Sequence, residues 1–141
     1  MYENEFGKIV RDEWNKTAII RQYVKLDEFI IMPNHIHGII QLCRGTARPA
    51  PTGEIEQFGK PTIGSIPTII RSFKSAASKY IHQKDKSFKW QRNYYEHVIR
   101  DVKSLYFIRK YIRENPIQWD IDSENHINHE LKDYEMIEIG R

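Results

Sequence analysis

Two apolar runs, Phe29-Ile30-Ile31 and Ile39-Ile40, flank the stretch Met32-Pro33-Asn34-His35-Ile36-His37-Gly38. This arrangement constrains the fold more than any other feature of the chain. Pro33 presets φ, and Asn34 tolerates left-handed backbone, so the pair predicts a tight turn. Pro33 would also interrupt the ladder of a central strand. The expected result is a β-hairpin, with an outgoing strand from Tyr23 to Met32 and a return strand from His35 to about Leu42. Side chains alternate along a strand, so His35, His37 and Ile39 share one face and Ile36, Gly38 and Ile40 the other. Two imidazoles side by side on a rigid strand make a preformed pair of metal ligands. Taken alone the pattern is weak, because ordinary half-buried histidines produce it too.

Three segments carry helical periodicity. Over residues 3–19, Phe6, Ile9, Val10 and Trp14 form an apolar stripe, and Gly7 weakens the first turn. From Ser65 to His82, Pro67 suits the first helical position. There Ile69, Ile70, Phe73, Ala76, Ala77, Tyr80 and Ile81 line one face, expected to pack on the sheet, and Arg71, Lys74 and Lys79 lie on the other. Asp101 is a candidate N-cap for a third helix, Val102 to Glu114, with Leu105, Ile108 and Ile112 as its core stripe. Pro116 predicts its end and leaves Asn115 at a frayed terminus. Tyr106 and Phe107 are expected to pack. Between these helices, residues 43–63 are rich in Gly and Pro and read as a long loop. Residues 88–99, FKWQRNYYEHVI, favour an extended strand. They interleave aromatic and basic groups, including Arg92, as a surface for stacked bases would.

The 141 residues suit a single domain at 1–118 followed by an acidic tail at 119–141. The formal net charge is +3, but seven acids and two bases leave the tail at −5, so residues 1–118 carry +8. A basic body fits a polyanion partner such as nucleic acid. A single cysteine, Cys43, excludes an internal disulfide and fits a reducing compartment. No apolar run is long enough to span a membrane.

Tyr111 and Asn115 are four residues apart on the third helix, hence neighbours on one face. A tyrosine hydroxyl, with a pKa of about 10, is a poor nucleophile at neutral pH. It needs an activated electrophile, such as a phosphodiester held by a divalent cation. Two histidines and one side-chain oxygen would hold that cation and leave positions open for substrate. Asn115 can supply the oxygen from the helix that presents Tyr111, and attack on phosphorus would give a covalent phosphotyrosine. Tyr94 and Tyr95 are alternative nucleophiles without a partner oxygen one turn away.

MPNHIHGII (32–40) followed by RKYIRENP (109–116) resembles the single-tyrosine HUH transposases, and within them the REP-associated tyrosine transposases. SIPTIIRSFKSA (65–76) and WQRNYYEHVIRD (90–101) resemble that branch as well. The resemblance covers roughly residues 4–119. It implies an α+β fold with a ferredoxin-like antiparallel sheet and helices on one face. It also implies a metal-dependent enzyme, a homodimer in the bacterial cytoplasm and associated with the nucleoid, that cleaves and rejoins single-stranded, hairpin-containing DNA through a 5′-phosphotyrosine. Carried over by position, Tyr111 matches the nucleophile, and His35, His37 and Asn115 match the ligands of Mg²⁺ or Mn²⁺. Arg71, Lys74, Lys79 and Arg92 are the DNA-contact candidates. Glu96 and His97 are possible accessories in proton transfer or ligand orientation.

The chain departs from that pattern at its start. Family members carry an apolar central strand ahead of the first helix, and no such strand precedes Phe6. The alternating segment 134–139 is one candidate to replace it. The competing functional expectation is a DNA-hairpin-binding descendant that no longer cuts.

Overall fold

The computed structural model describes residues 3–43, 64–119 and 139–140. In chain order the elements are α1 (Glu5–Ile20), β1 (Val24–Ile31), β2 (Ile36–Leu42), α2 (Ile66–Ile81), α3 (Val102–Gln118) and β3 (Ile139–Gly140). The fold is α+β, with three helices and an antiparallel β1–β2 pair. The sheet order is β1-β2-β3, and β3 runs parallel to β2 with Gly38 opposite Ile139 and Ile39 opposite Gly140. The chain divides into two compact units. One comprises Met1–Tyr2, Leu26–Gln41 and Arg92–Arg141; the other comprises Glu3–Lys25 and Leu42–Gln91.

In the second unit, α1 packs on α2. Asn4 caps α1, its side-chain oxygen accepting from Gly7 N at 2.8 Å, so Gly7 serves the cap it was expected to weaken. Val10 and Trp14 are buried from α1, and Ile66, Ile69, Ile70, Phe73, Ala77 and Ile81 from α2, whereas Tyr80, expected on that face, is 42% exposed beneath the Lys16 ammonium. The rings of Trp14 and Phe73 meet edge to face at 5.3 Å, a favoured aromatic geometry. Ser65 caps α2 by accepting from Thr68 N at 3.3 Å, and Pro67 occupies the first turn. Gly64, just before the cap, has φ of 80°, a left-handed conformation that glycine adopts without Cβ strain.

The strand expected over 88–99 does not form; among these residues only Glu96 makes an isolated bridge. The aromatic residues act singly instead. Trp90 donates its indole N–H to Lys74 O at 3.1 Å and lies 5.8 Å from the Phe73 ring, while Phe88 lies 5.3 Å from Trp90 and 6.5 Å from Phe6. Side chains that cover a helix satisfy the same composition as a ladder, because β-propensity largely measures packing.

In the first unit, the hairpin turns at Pro33-Asn34, where Met32 N donates to His35 O at 2.9 Å. Strand β2 is buried from Ile36 through Ile40. Helix α3 starts at its expected cap, Asp101, whose carboxylate accepts from Ser104 N at 2.8 Å. It does not stop at Pro116 but continues to Gln118. Proline removes one helical donor yet has a helix-compatible φ, and this helix accommodates the loss. Asn115 therefore lies within the helix and is 3% exposed, not frayed. Tyr106 and Phe107 also depart from expectation: they are 62% and 55% exposed.

The loop expected over 43–63 lies outside the described residues apart from Cys43, as does the acidic tail apart from Trp119 and β3. Of the candidate replacement strand 134–139, only Ile139 is described, and it is paired to β2. No helix among the described residues is long and apolar enough to cross a membrane.

Candidate metal and nucleophile site

Both imidazoles project to one side of the hairpin, as strand alternation requires. Their Nε2 atoms lie 2.9 Å apart, and the rings stand edge to face with centroids at 4.6 Å. Both residues are buried, His37 to 1% exposure. Asn34, read from sequence only as a turn residue, also orients His35. Its Oδ1 accepts from His35 Nδ1 at 2.7 Å, which leaves Nε2 as the ring's acceptor nitrogen. A hydrogen bond of this kind, fixing the tautomer from the far side of the ring, is the usual companion of a metal-binding histidine.

Helix α3 brings the other partners to the pair. Asn115 Nδ2 is 3.2 Å from His37 Nε2. The Tyr111 ring stands edge to face with His37 at a centroid distance of 5.5 Å, and Tyr111 keeps 41% exposure. Trp119, one turn beyond Asn115, places its ring 6.0 Å from His35. Tyr111, Asn115 and the C-cap residue Trp119 thus form one stripe, spaced four residues apart. The sequence contained that signal, but the expected stop at Pro116 severed Trp119 from the helix.

The hydrogen-bond chemistry of this cluster is in conflict when both rings are neutral. His37 Nε2 can donate to His35 Nε2 or accept from Asn115 Nδ2, not both. Among the described residues the buried Asn115 Oδ1 has no hydrogen-bond partner, an arrangement that carries a desolvation cost. A cation removes both problems, since it needs lone pairs from both rings and an oxygen from the amide. Two ligands at about 2.1 Å and a right angle are about 3.0 Å apart, which matches the 2.9 Å between the two histidine Nε2 atoms; Asn115 now turns its amide nitrogen to His37 and would bring Oδ1 there by an amide flip. With that flip, His35, His37 and Asn115 are the residues that would hold Mg²⁺ or Mn²⁺. No three His, Cys, Asp or Glu side chains gather into a metal site among the described residues; beside the two histidines, the Asn115 amide is the side chain that would offer an oxygen.

The other candidates fall elsewhere. Arg71, Lys74 and Lys79 lie on α2, while Arg92 belongs to the other unit. Arg71, Lys79 and Arg92 are exposed. Lys74 instead donates to Gln91 O at 3.1 Å and sits 5.9 Å from the Trp90 ring centroid. Partial burial holds its pKa below the usual lysine value. Glu96 is half-buried and His97 exposed. Of the alternative nucleophiles, Tyr94 is half-buried and Tyr95 exposed.

The structure thus defines an α+β chain with a two-histidine hairpin and a tyrosine–asparagine helix converging on it. The chain belongs to the same family as an uncharacterized protein of Haemophilus influenzae (strain ATCC 51907 / DSM 11121 / KW20 / Rd), with which it shares 39% identity over 127 residues. That similarity covers 86% of this chain and 71% of the relative. No family model matches the chain, and no solved structure does.

Proposed function

We propose that the protein is a divalent-metal-dependent strand transferase of single-stranded DNA, acting through Tyr111 in the manner of the single-tyrosine transposases its motifs resemble. One observation carries the reading. Tyr111 and Asn115, one turn apart on α3, both stand against His37 within one compact unit. All four candidate side chains come from one chain, so no second protomer is needed to complete the set.

The tyrosine oxygen attacks phosphorus of the scissile phosphodiester. The Oη–P bond forms and the P–O3′ bond breaks. The phenol gives up its proton and the leaving 3′ oxygen takes one, leaving a free 3′ hydroxyl and a 5′-phosphotyrosine. A 3′ hydroxyl attacking the phosphotyrosine reverses these bond changes, so rejoining needs no external energy source. The cation, when bound, polarises the phosphate oxygens. The chain's own contribution is positional. The partial exposure of Tyr111 lets a strand approach, and burial of the imidazoles keeps competing water from their lone pairs.

The test is a denaturing gel of labelled single-stranded hairpin DNA incubated with the protein and Mn²⁺. A covalent adduct is expected with the native chain and none with Tyr111→Phe. DNA retarded on a native gel without any adduct would replace the enzyme with a non-cutting hairpin binder. Failure of both would exclude a role on this substrate.

A further inference from the structure

Helix α3 can orient Tyr111 and Asn115 only if its rotation and its position along its own axis are fixed against the hairpin. Burial alone constrains these weakly. Ile112 is 1% exposed, but Leu105 and Ile108 are only half-buried, and Val102, Tyr106, Phe107 and Ile117 are each more than half exposed. Two ion pairs join α3 to β1 within the same unit. Arg109 grips Asp27, with Nε at 2.9 Å from Oδ1 and Nη2 on Oδ2. Arg113 grips Glu28, with Nε at 2.7 Å from Oε1 and Nη2 on the same oxygen.

We infer that Arg109–Asp27 and Arg113–Glu28 form a two-rung ionic clamp that sets the register of α3 and so positions Tyr111 and Asn115 over the histidine pair. The spacing supports this. Arg109 and Arg113 are one helical turn apart, and two residues on from each, about 200° round the helix, come Tyr111 and Asn115, so fixing one side of α3 fixes the other. Asp27 and Glu28 are consecutive on the strand that leads into the histidine turn. A single contact leaves a helix free to roll about it; two contacts a turn apart oppose both rolling and sliding. A roll of one residue is about 100°, and a slip of one turn moves the helix by about 5.4 Å. Either would take the Asn115 amide out of reach of His37. Arginine suits the task because its planar guanidinium presents fixed, paired donors, whereas lysine offers a flexible point charge. Exposed ion pairs add little to stability as a rule, which makes orientation the more effective use of these two.

The clamp rests on the proposed function only for what Tyr111 does, not for where Asn115 stands. Its test therefore reads the Asn115–His37 contact directly, by nuclear Overhauser effects between the Asn115 amide and the His37 ring. Mn²⁺ affinity is measured in parallel. The variants are Arg109→Lys, Asp27→Asn, Asp27→Arg, Arg109→Asp and the exchanged pair Asp27→Arg with Arg109→Asp. Glu3→Gln, which breaks the Arg11–Glu3 pair on α1, is the control in the other unit.

Each single variant should weaken the cross-peak and lower Mn²⁺ affinity by about tenfold, the lower end of the range for groups that orient metal ligands. The exchanged pair should recover most of both, and Glu3→Gln should change neither. Arg109→Lys and Asp27→Asn keep the test usable if the charge reversals do not fold. Native cross-peaks and Mn²⁺ affinity in these two folded variants would overturn the clamp, as would a folded exchanged pair that recovers nothing. A native chain that forms no DNA adduct would count against the transferase reading and leave the clamp to be judged by the cross-peak.

Discussion

Where α1 meets α2, the interior is mainly apolar: Trp14, Ile66, Ile69 and Ile81 are 2% exposed or less, and the buried Thr17 hydroxyl is satisfied by donating to Glu13 O on its own helix. The hairpin and α3 bury Ile40 and Ile112 just as deeply, but His37 and Asn115 share that interior at 1% and 3% exposure. The two interiors have opposite logic. Apolar packing gains stability from each atom removed from water. A buried cluster of nitrogens and amide oxygen loses hydration and here recovers only part of it through internal hydrogen bonds. Sequences that break the local rule for stability in one region and obey it in another tend to do so at sites of function.

The sharpest way to test this contrast is to damage the apolar interior. Phe73→Ala removes a side chain in ring contact with both Trp14 and Trp90. It should cost about 3–5 kcal/mol of unfolding free energy by urea denaturation, from lost transfer energy and the cavity left behind. Chains that remain folded should bind Mn²⁺ as the native protein does. A loss of affinity in the folded fraction would break the separation between the two regions.

The mirror experiment is Asn115→Leu. It removes an amide whose oxygen is buried without a partner among the described residues. Stability should stay level or rise by about 1–2 kcal/mol, while Mn²⁺ affinity falls. A stability loss of the kind expected for Phe73→Ala would mean that Asn115 belongs to the structural core.

The smallest effect is electrostatic. The Arg109 guanidinium bound to Asp27 holds that carboxylate below its ordinary range, although partial burial opposes the shift. A depressed carboxylate stabilises the fold fully above its unfolded pKa of about 3.9 and loses that contribution as pH falls through the lower folded value. The stability difference between the native chain and Asp27→Asn should therefore be constant at neutral pH and shrink on acidification below about pH 4. A difference that grew in acid would contradict the sign. Glu3, held down chiefly by its hydrogen bond to Arg11, gives the other unit's counterpart for the same titration.

The legible parts of this chain were local ones. The hairpin followed from Pro33-Asn34 and strand alternation, and α2 from an unbroken apolar stripe behind Ser65 and Pro67. The convergence of Tyr111 and Asn115 on His37 rested on the four-residue spacing together with the family resemblance. What could not be read depended on competition between local rules and packing. Pro116 is a strong helix breaker in isolation, yet α3 runs through it, and Trp119 was missed for that reason. The aromatic residues at 88 and 90 favour strands by composition but cover α2 instead. The backbone preference of Asn34 is visible in the sequence, whereas its hydrogen bond to His35 is not.

The pairing of Ile139 with Gly38 has a practical consequence for handling the protein. β3 pairs with the strand that carries His37, and because the two run parallel, chain added after Gly140 leads on past Ile39 and away from that imidazole. A polyhistidine tag joined there would still be tethered to the sheet that holds the imidazole pair, so cation-binding assays call for its removal beforehand.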